Sequence, residues 1–166
     1  NTGPDNDLFR VPAGSFNGIT VANVDDRRTP WRYDDIINDA STRGPTALSR
    51  RKPDIAAPGT SILTSNHQWE GDDEDQITPK TGTSISAPMV LGIAMDLMDA
   101  GIYDEKEIKA LLLNTASKND GLIDFESDAD GWSEAYGWGY VNAYHAYFHR
   151  DDVFTATVTE RPDPGS

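Results

Sequence analysis

Apolar residues along the first half of the chain fall into short runs that are typical of buried strands. Residues 19–24, "ITVANV", form one such run and predict a buried strand. Residues 55–65, "IAAPGTSILTS", predict a second short buried strand, which Pro58 and Gly59 interrupt. Residues 25–40, between the two runs, carry many charges and predict an exposed excursion.

The pattern becomes helical after residue 80. A helix that begins at Ser84 has Pro88 in its first turn, where the missing N–H is harmless, and Gly101 marks its end. Gly92 inside this helix costs about 1 kcal/mol relative to alanine, and this cost predicts close backbone packing around it. The apolar stripe of the helix consists of Met89, Val90, Ile93, Ala94, Leu97 and Met98.

Two more helices are predicted before the chain changes character. Asp104 and Glu107 have the spacing of a capping box, so we expect a second helix to begin at Asp104. A short third helix is predicted at residues 142–149. The final stretch, "TERPDPGS", has the composition of a linker. We therefore divide the chain into a folded part, 1–150, and a linker or tail, 151–166.

Composition restricts the classes of partner. The 166 residues suit one domain with a sizeable core. The formal net charge is −14, from 28 acidic and 14 basic residues, which argues against nucleic acid or an anionic membrane as a partner. This charge favours a secreted protein or one adapted to high salt. The chain has no cysteine, and it has no apolar run near the ~18 residues that a membrane span needs.

The stretch "TGTSISAP" at residues 81–88 has two interpretations from its residues alone. Serine and threonine are common helix N-caps, so an ordinary capped helix explains it. A catalytic serine is the other explanation, because a helix N-terminus offers a positive dipole end and free backbone N–H groups. Gly82 removes a side chain that would crowd a substrate. The local pattern leaves both interpretations open.

The wider sequence resembles that of the subtilisin-like serine proteases. "GTSISAP" resembles their nucleophile motif, whose usual form is G-T-S-x-[AS]-x-P. Met89 departs from the motif, which commonly has histidine there, but this is not a triad position. Four more segments are similar to family segments in the same order: "VPAGSFNGITVANVD", "STRGPT", "KPDIAAPGTSIL" and "YGWGYVNAYHAY". Together the five segments cover most of residues 1–150.

The resemblance implies an α/β fold with a subtilisin-like three-layer arrangement of parallel sheet and flanking helices. It also implies a serine endopeptidase in which Ser84 is the nucleophile, Ser86 a small packing residue, and Gly82 and Thr83 border the substrate. Asn1 would donate its side-chain amide to the oxyanion, together with the backbone N–H of Ser84. One such donor contributes roughly 3–4 kcal/mol to transition-state stabilisation, a magnitude measured in subtilisin itself.

The segment that follows Asn1 should border the primary specificity pocket, again by resemblance. Arg10 lies in this segment. A guanidinium group inside the pocket would favour substrates with acidic side chains. A surface position for Arg10 remains the alternative.

A serine nucleophile needs a base, usually histidine, and no histidine of this chain has the family's context. His67 lies only 17 residues before Ser84, while His145 and His149 follow it. The chain therefore looks like the C-terminal half of a subtilase catalytic domain, with the triad Asp and His supplied by an N-terminal half. We expect that half and a polypeptide substrate as its partners. The alternatives are a catalytically inactive subtilase-like binding module and a fragment that is itself a binding domain.

Two acidic segments raise the question of calcium, although the chemistry itself requires no cofactor. Glu126, Asp128 and Asp130 follow the alternating acid pattern of a calcium loop, but Gly137 stands where an EF-hand has its bidentate glutamate. A structural calcium and a solvated turn both remain open there. The other segment, "GDDEDQ" at 71–76, is expected to be a solvated loop.

Overall fold

The centre of the fold is a three-stranded sheet whose middle strand has one parallel and one antiparallel neighbour. The computed structural model describes residues 9, 11–67, 70–71, 76–118, 125–154 and 156. The strands of this sheet are β1 (Val21–Asp25), β2 (Ile36–Ile37) and β3 (Ile55–Pro58), in the order β2-β1-β3. β1 runs parallel to β3, with Val21 opposite Ile55, and antiparallel to β2, with Val24 opposite Ile37.

A hairpin and three helices complete the described secondary structure. The hairpin is a separate antiparallel pair, β4 (Ile62–Ser65) and β5 (Ile77–Lys80). The helices are α1 (Thr83–Asp99), α2 (Glu105–Asn114) and α3 (Ala143–Phe148), and a 3-10 turn spans Arg32–Asp34. Among the described residues, no helix has both the length and the apolar character that a membrane crossing requires.

The core forms where α1 packs on β1 and β3. β3 is also joined on its other side by the glycine-rich segment that follows α2. The N–H of Ala56 donates to the carbonyl of Gly139 at 2.9 Å, and the N–H of Val141 donates to the carbonyl of Ala56 at 2.8 Å. The glycine-rich segment therefore satisfies the outer edge of β3, whose apolar residues are buried on both faces as in other parallel strands.

The strand predictions are confirmed in part. The first predicted strand corresponds to β1, and the interrupted second one corresponds to β3 and β4. β4 is not buried, because its side chains alternate between half-buried and exposed positions. The prediction of an exposed excursion at 25–40 is wrong at Ile36 and Ile37, which return to the sheet as β2. Two apolar residues are too few for a period to be recognised.

The helix predictions agree with the structure within one residue at each start. Asp104 caps α2, since its Oδ1 accepts hydrogen bonds from the N–H groups of Lys106 and Glu107 at 2.8 and 3.1 Å. Asn142 caps α3 by accepting from the N–H of His145 at 3.0 Å. Both caps satisfy N–H groups that have no partner within the helix.

The apolar stripe of α1 is narrower than predicted. Val90 and Leu97 are buried, whereas Met89 and Met98 are exposed. A Cβ added at Gly92 would have no atom within 4 Å in the described structure, so the prediction of close packing there is wrong. The helix thus carries apolar residues outside its packed face as well as on it.

Gly137 provides a test of the contact between the glycine-rich segment and β3. Its φ is +66°, and an added Cβ would lie 2.4 Å from the carbonyl carbon of Asp54. We expect Gly137→Ala to lower the free energy of unfolding by about 2 kcal/mol or more, because the backbone at residue 137 and the backbone of Asp54, just before β3, must both move. Urea unfolding of the protein measures this loss. Gly92→Ala is the matched control and should stabilise by about 1 kcal/mol; equal losses in both variants would contradict the packing described here.

Asp35 provides a test of pH dependence. Burial, reinforced by the nearby Asp26 and Asp34, raises the pKa of Asp35 from 3.8 to about 6. Ionisation therefore disfavours the folded state, so the stability contributed by this group is complete below about pH 4 and is lost as the pH rises to about 6. Above about pH 6, the free energy of unfolding of Asp35→Asn should exceed that of the parent by on the order of 1 kcal/mol, after allowance for solvent screening.

Thermal unfolding of the Asp35→Asn variant from acid to neutral pH checks this expectation. Asp39→Asn is the control, because the Asp39 side chain is fully exposed to solvent. A stability difference between Asp35→Asn and the parent that does not change with pH would contradict the raised pKa of Asp35.

Candidate active site

Ser84 lies at the N-terminus of α1 with its side chain exposed to solvent. The carbonyl of Gly82 accepts from the N–H groups of Ile85 and Ser86, at 2.9 and 3.3 Å. The N–H of Ser84 itself belongs to the first turn, where a helix offers no partner. No acceptor in the described part of the chain takes this N–H group. An exposed hydroxyl and a free backbone donor therefore lie together at the positive end of a 17-residue helix.

The sheet fixes this helix start through a pair of glycines. The N–H of Gly82 donates to the carbonyl of Gly59 at 2.8 Å, just beyond the end of β3. A Cβ on Gly59 would lie 2.0 Å from the hydroxyl oxygen of Ser86 and 2.6 Å from Oδ1 of Asn23. Gly82 has φ 156° and ψ 161°, a region that is essentially restricted to glycine. Small residues on both sides thus let the helix start lie against the carboxyl end of β3.

Ser86 differs from Ser84 in burial and in partners. It is fully buried, and its hydroxyl lies 3.4 Å from Oδ1 of Asn23. It therefore packs the helix against the sheet and offers no exposed hydroxyl to a substrate.

A cavity of about 300 Å³ adjoins the helix start. Thr83 and Ala87, on either side of Ser84 along α1, form part of its wall. Thr42 and Pro53 contribute to the cavity, and residues 12–20 form much of the remaining wall. The cavity therefore adjoins both residues that flank Ser84 along this side of α1.

The structure brings no histidine to Ser84. His67 is exposed, His145 pairs with Asn142, and Nδ1 of His149 lies 2.7 Å from Asp152. All three histidines lie among the described residues, and none of them hydrogen-bonds to the serine. The described part of the site therefore contains an exposed hydroxyl, a backbone donor and a cavity, but no histidine that could act as a base.

Two predicted site residues, Asn1 and Arg10, lie outside the described residues. The oxyanion role of Asn1 and the specificity role of Arg10 stay predictions.

The acidic turn at 126–130 is organised around an arginine. Arg51 lies 2.9 Å from Asp128 and 2.6 Å from Asp130. The backbone N–H of Trp132, which donates to Asp128 at 3.0 Å, holds the pKa of that carboxyl below its usual range, and Arg51 lowers it further. The described residues contain no group of three histidine or acidic side chains that could hold a metal ion. A calcium ion at Glu126, Asp128 and Asp130 stays a prediction.

Comparison with known proteins identifies the family. The family model of the subtilases, Peptidase S8, matches residues 1–139. The chain belongs to the subtilase family. The serine protease AprX of Bacillus subtilis is 34% identical to this subtilase chain over 152 residues, which is 86% of the chain and 32% of AprX. The CO(2)-response secreted protease of Arabidopsis thaliana is 37% identical over 101 residues, 54% of the chain and 13% of that protein.

Solved structures support the same fold. Fervidolysin from Fervidobacterium pennivorans, a keratinolytic enzyme related to subtilisin, superposes with a TM-score of 0.59 at 26% identity, covering 82% of this subtilase chain and 20% of that one. The CspB protease of Clostridium perfringens superposes with a TM-score of 0.66 at 25% identity, and the match covers 87% of this chain and 29% of that protease. The predicted α/β, subtilisin-like fold is confirmed. The subtilase chain spans about a third or less of the length of these relatives.

Most of the residues that line the cavity of this subtilase were not predicted from the sequence. Thr42 lies in the quoted "STRGPT" segment and Pro53 in the quoted "KPDIAAPGTSIL" segment, but neither was assigned to a pocket. Wall residues come from distant parts of the chain, and no spacing in one sequence pairs them. The resemblance marked the segments, and only the fold shows which side chains face the cavity.

Proposed function

We propose that this chain carries the nucleophile of a serine endopeptidase that hydrolyses peptide bonds by acyl transfer. The observation that carries the proposal is the exposed Ser84 hydroxyl at the N-terminus of α1, beside a free backbone N–H and a cavity. Membership of the subtilase family supports the same assignment. A helix cap alone would explain the serine, but it would not explain the adjoining cavity.

The proposed chemistry follows from this geometry. The Oγ of Ser84 attacks the peptide carbonyl carbon and transfers its proton to a base, which then protonates the leaving amine. The backbone N–H of Ser84 and the side-chain amide of Asn1 stabilise the oxyanion. Water then hydrolyses the acyl-enzyme and regenerates the serine. The reaction needs no metal ion or organic cofactor.

We propose that an N-terminal half of the same catalytic domain supplies the base and its orienting carboxylate. Leu91 and Met95 on α1 are each 60% exposed, and the exposed Met98 lies on the same face of the helix, at the i+7 position from Leu91. Such an apolar helix face is typical of a surface that another part of the protein covers. The match covers only 32% of AprX, so a protein of that length could also contain the proposed N-terminal half of the catalytic domain.

We further propose that the substrate is a polypeptide and that the protein is secreted. Net charge of −14 suits an extracellular protein, and one relative carries "secreted" in its name. The competing function is a catalytically inactive subtilase-like module, which would keep the cavity but lack turnover.

The assignment of Ser84 is tested in the full-length protein with a serine-directed fluorophosphonate. We expect wild type to be labelled and Ser84→Ala to lose labelling, with kcat lowered by about 10⁶-fold, the magnitude known for subtilisin. Ser86→Ala is the matched control, since Ser86 is buried, and it should keep both labelling and turnover. Labelling that persists in Ser84→Ala would overturn the assignment, and an unlabelled, inactive wild type would favour the inactive module.

The role of the N-terminal half is tested with the 166-residue chain alone. We expect no turnover of a general peptide substrate, because no histidine of this chain reaches Ser84. Addition of the upstream fragment should restore turnover. Turnover by the isolated chain that disappears in His67→Ala would show instead that His67 is the base.

A further inference from the structure

A cluster of three charged side chains, two buried and one partly buried, lies between α2 and the segment that leads into β3. The side chains of Lys52 and Asp54 are only 4% and 7% exposed, and that of Lys109 is 21% exposed. The ammonium group of Lys52 contacts Oδ2 of Asp54, and that of Lys109 lies 3.3 Å from Oδ1. Two cations share one carboxylate, so one positive charge lacks an acidic partner within the cluster. A buried charge of this kind requires further acceptors.

The further acceptors are backbone carbonyl groups of one loop. We name residues 12–20 the cavity loop. The carbonyl of Gly18 accepts from Lys52 at 2.9 Å and from Lys109 at 3.2 Å, and the carbonyl of Phe16 accepts from Lys109 at 3.1 Å. In the opposite direction, the N–H of Thr20 donates to Oδ2 of Asp54 at 2.7 Å. The cluster therefore holds the cavity loop by its backbone, independently of most of the loop's side chains.

The cavity loop and the helix that carries Ser84 line the same cavity. Thr83 and Ala87 are the residues of α1 that contribute to it. Lys52, Asp54 and Lys109 are not among the residues that line it. The loop residues that line the cavity are Pro12, Ala13, Ser15, Gly18, Ile19 and Thr20. The width of the cavity thus depends on where the cluster holds the loop.

We infer that Lys52, Asp54 and Lys109 are positioning residues that fix the cavity loop and thereby set which substrate side chain the cavity accepts. The inference rests on the proposed function, since it takes the cavity to receive a side chain of the peptide that Ser84 attacks. The cluster acts on substrate binding through the loop, not on the reacting bond. Its loss should therefore change KM and substrate preference and leave kcat nearly unchanged.

Lys109→Met in the full-length protein tests the inference, because Lys109 is the least buried member of the cluster. The substrates are peptides with either a large or a small side chain before the scissile bond. For the peptides with the large side chain we expect KM to rise about fivefold while kcat stays within about twofold, so the preference for large over small falls. Lys109→Arg, which keeps the charge, should restore most of the preference. If Lys109→Met does not fold, Lys109→Gln removes the charge with less change in polarity.

Lys106→Met is the matched control, because Lys106 lies on the same helix, is exposed and has no side-chain contact in the described structure. It should leave KM and preference unchanged. A parallel fall of kcat for both substrate types, or the same change in Lys106→Met, would overturn the positioning role.

Hydrogen exchange of the cavity loop separates this inference from the proposed function. We expect the amides of residues 12–20 to exchange at least about tenfold faster in Lys109→Met than in Lys106→Met. An inactive wild type with this faster exchange would refute the proposed peptidase and the substrate role of the cluster, while confirming that the cluster holds the loop. Equal exchange in the two variants would overturn the positioning role even in an active enzyme.

Discussion

The hydrogen bond from the N–H of Gly82 to the carbonyl of Gly59 joins the two halves of the candidate site. It places the N-terminus of α1 at the carboxyl end of β3, the end where α/β proteins generally bind their ligands. The approach is possible only because Gly59 has no Cβ, which would meet Ser86 and Asn23. The position of Ser84 therefore depends less on the serine than on two glycines and a buried serine behind it.

The same constraint shows how far sequence could predict the site. Gly82, Ser84 and Ser86 lie within one motif, so the sequence could predict a role for each: the substrate border, the nucleophile and a packing residue. In the structure Ser84 is exposed and Ser86 is buried. Gly59 lies more than twenty residues away, in a segment that was recognised only as a strand and turn. Its contact with Ser86 is a property of the packed fold, and a single sequence contains no signal for it.

Secondary structure was predictable where short-range physics decides it. The cap Asp104 forms local hydrogen bonds, so its four-residue pattern with Glu107 suffices to find it. β2 was missed because Ile36 and Ile37 pair with β1 across a charged excursion, and the pairing partner decides such a short strand. The prediction of close backbone packing at Gly92 failed for a related reason. The described chain leaves part of α1 without a covering layer, and Gly92 lies in that part.

Three basic residues of this acidic chain form ion pairs that differ in their exposure to solvent. Arg51 closes the acidic turn at Asp128 and Asp130 in a position exposed to solvent, where salt screens ion pairs strongly. Lys52 contacts the buried Asp54 away from solvent, and Lys109 contacts it from a partly buried position, so salt screens these pairs less than the exposed turn. Ionic strength therefore acts on the turn much more than on the cavity loop. In a chain with a net charge of −14, changes in salt should therefore affect the acidic turn more than the wall of the cavity, because Lys52 and Asp54 are buried.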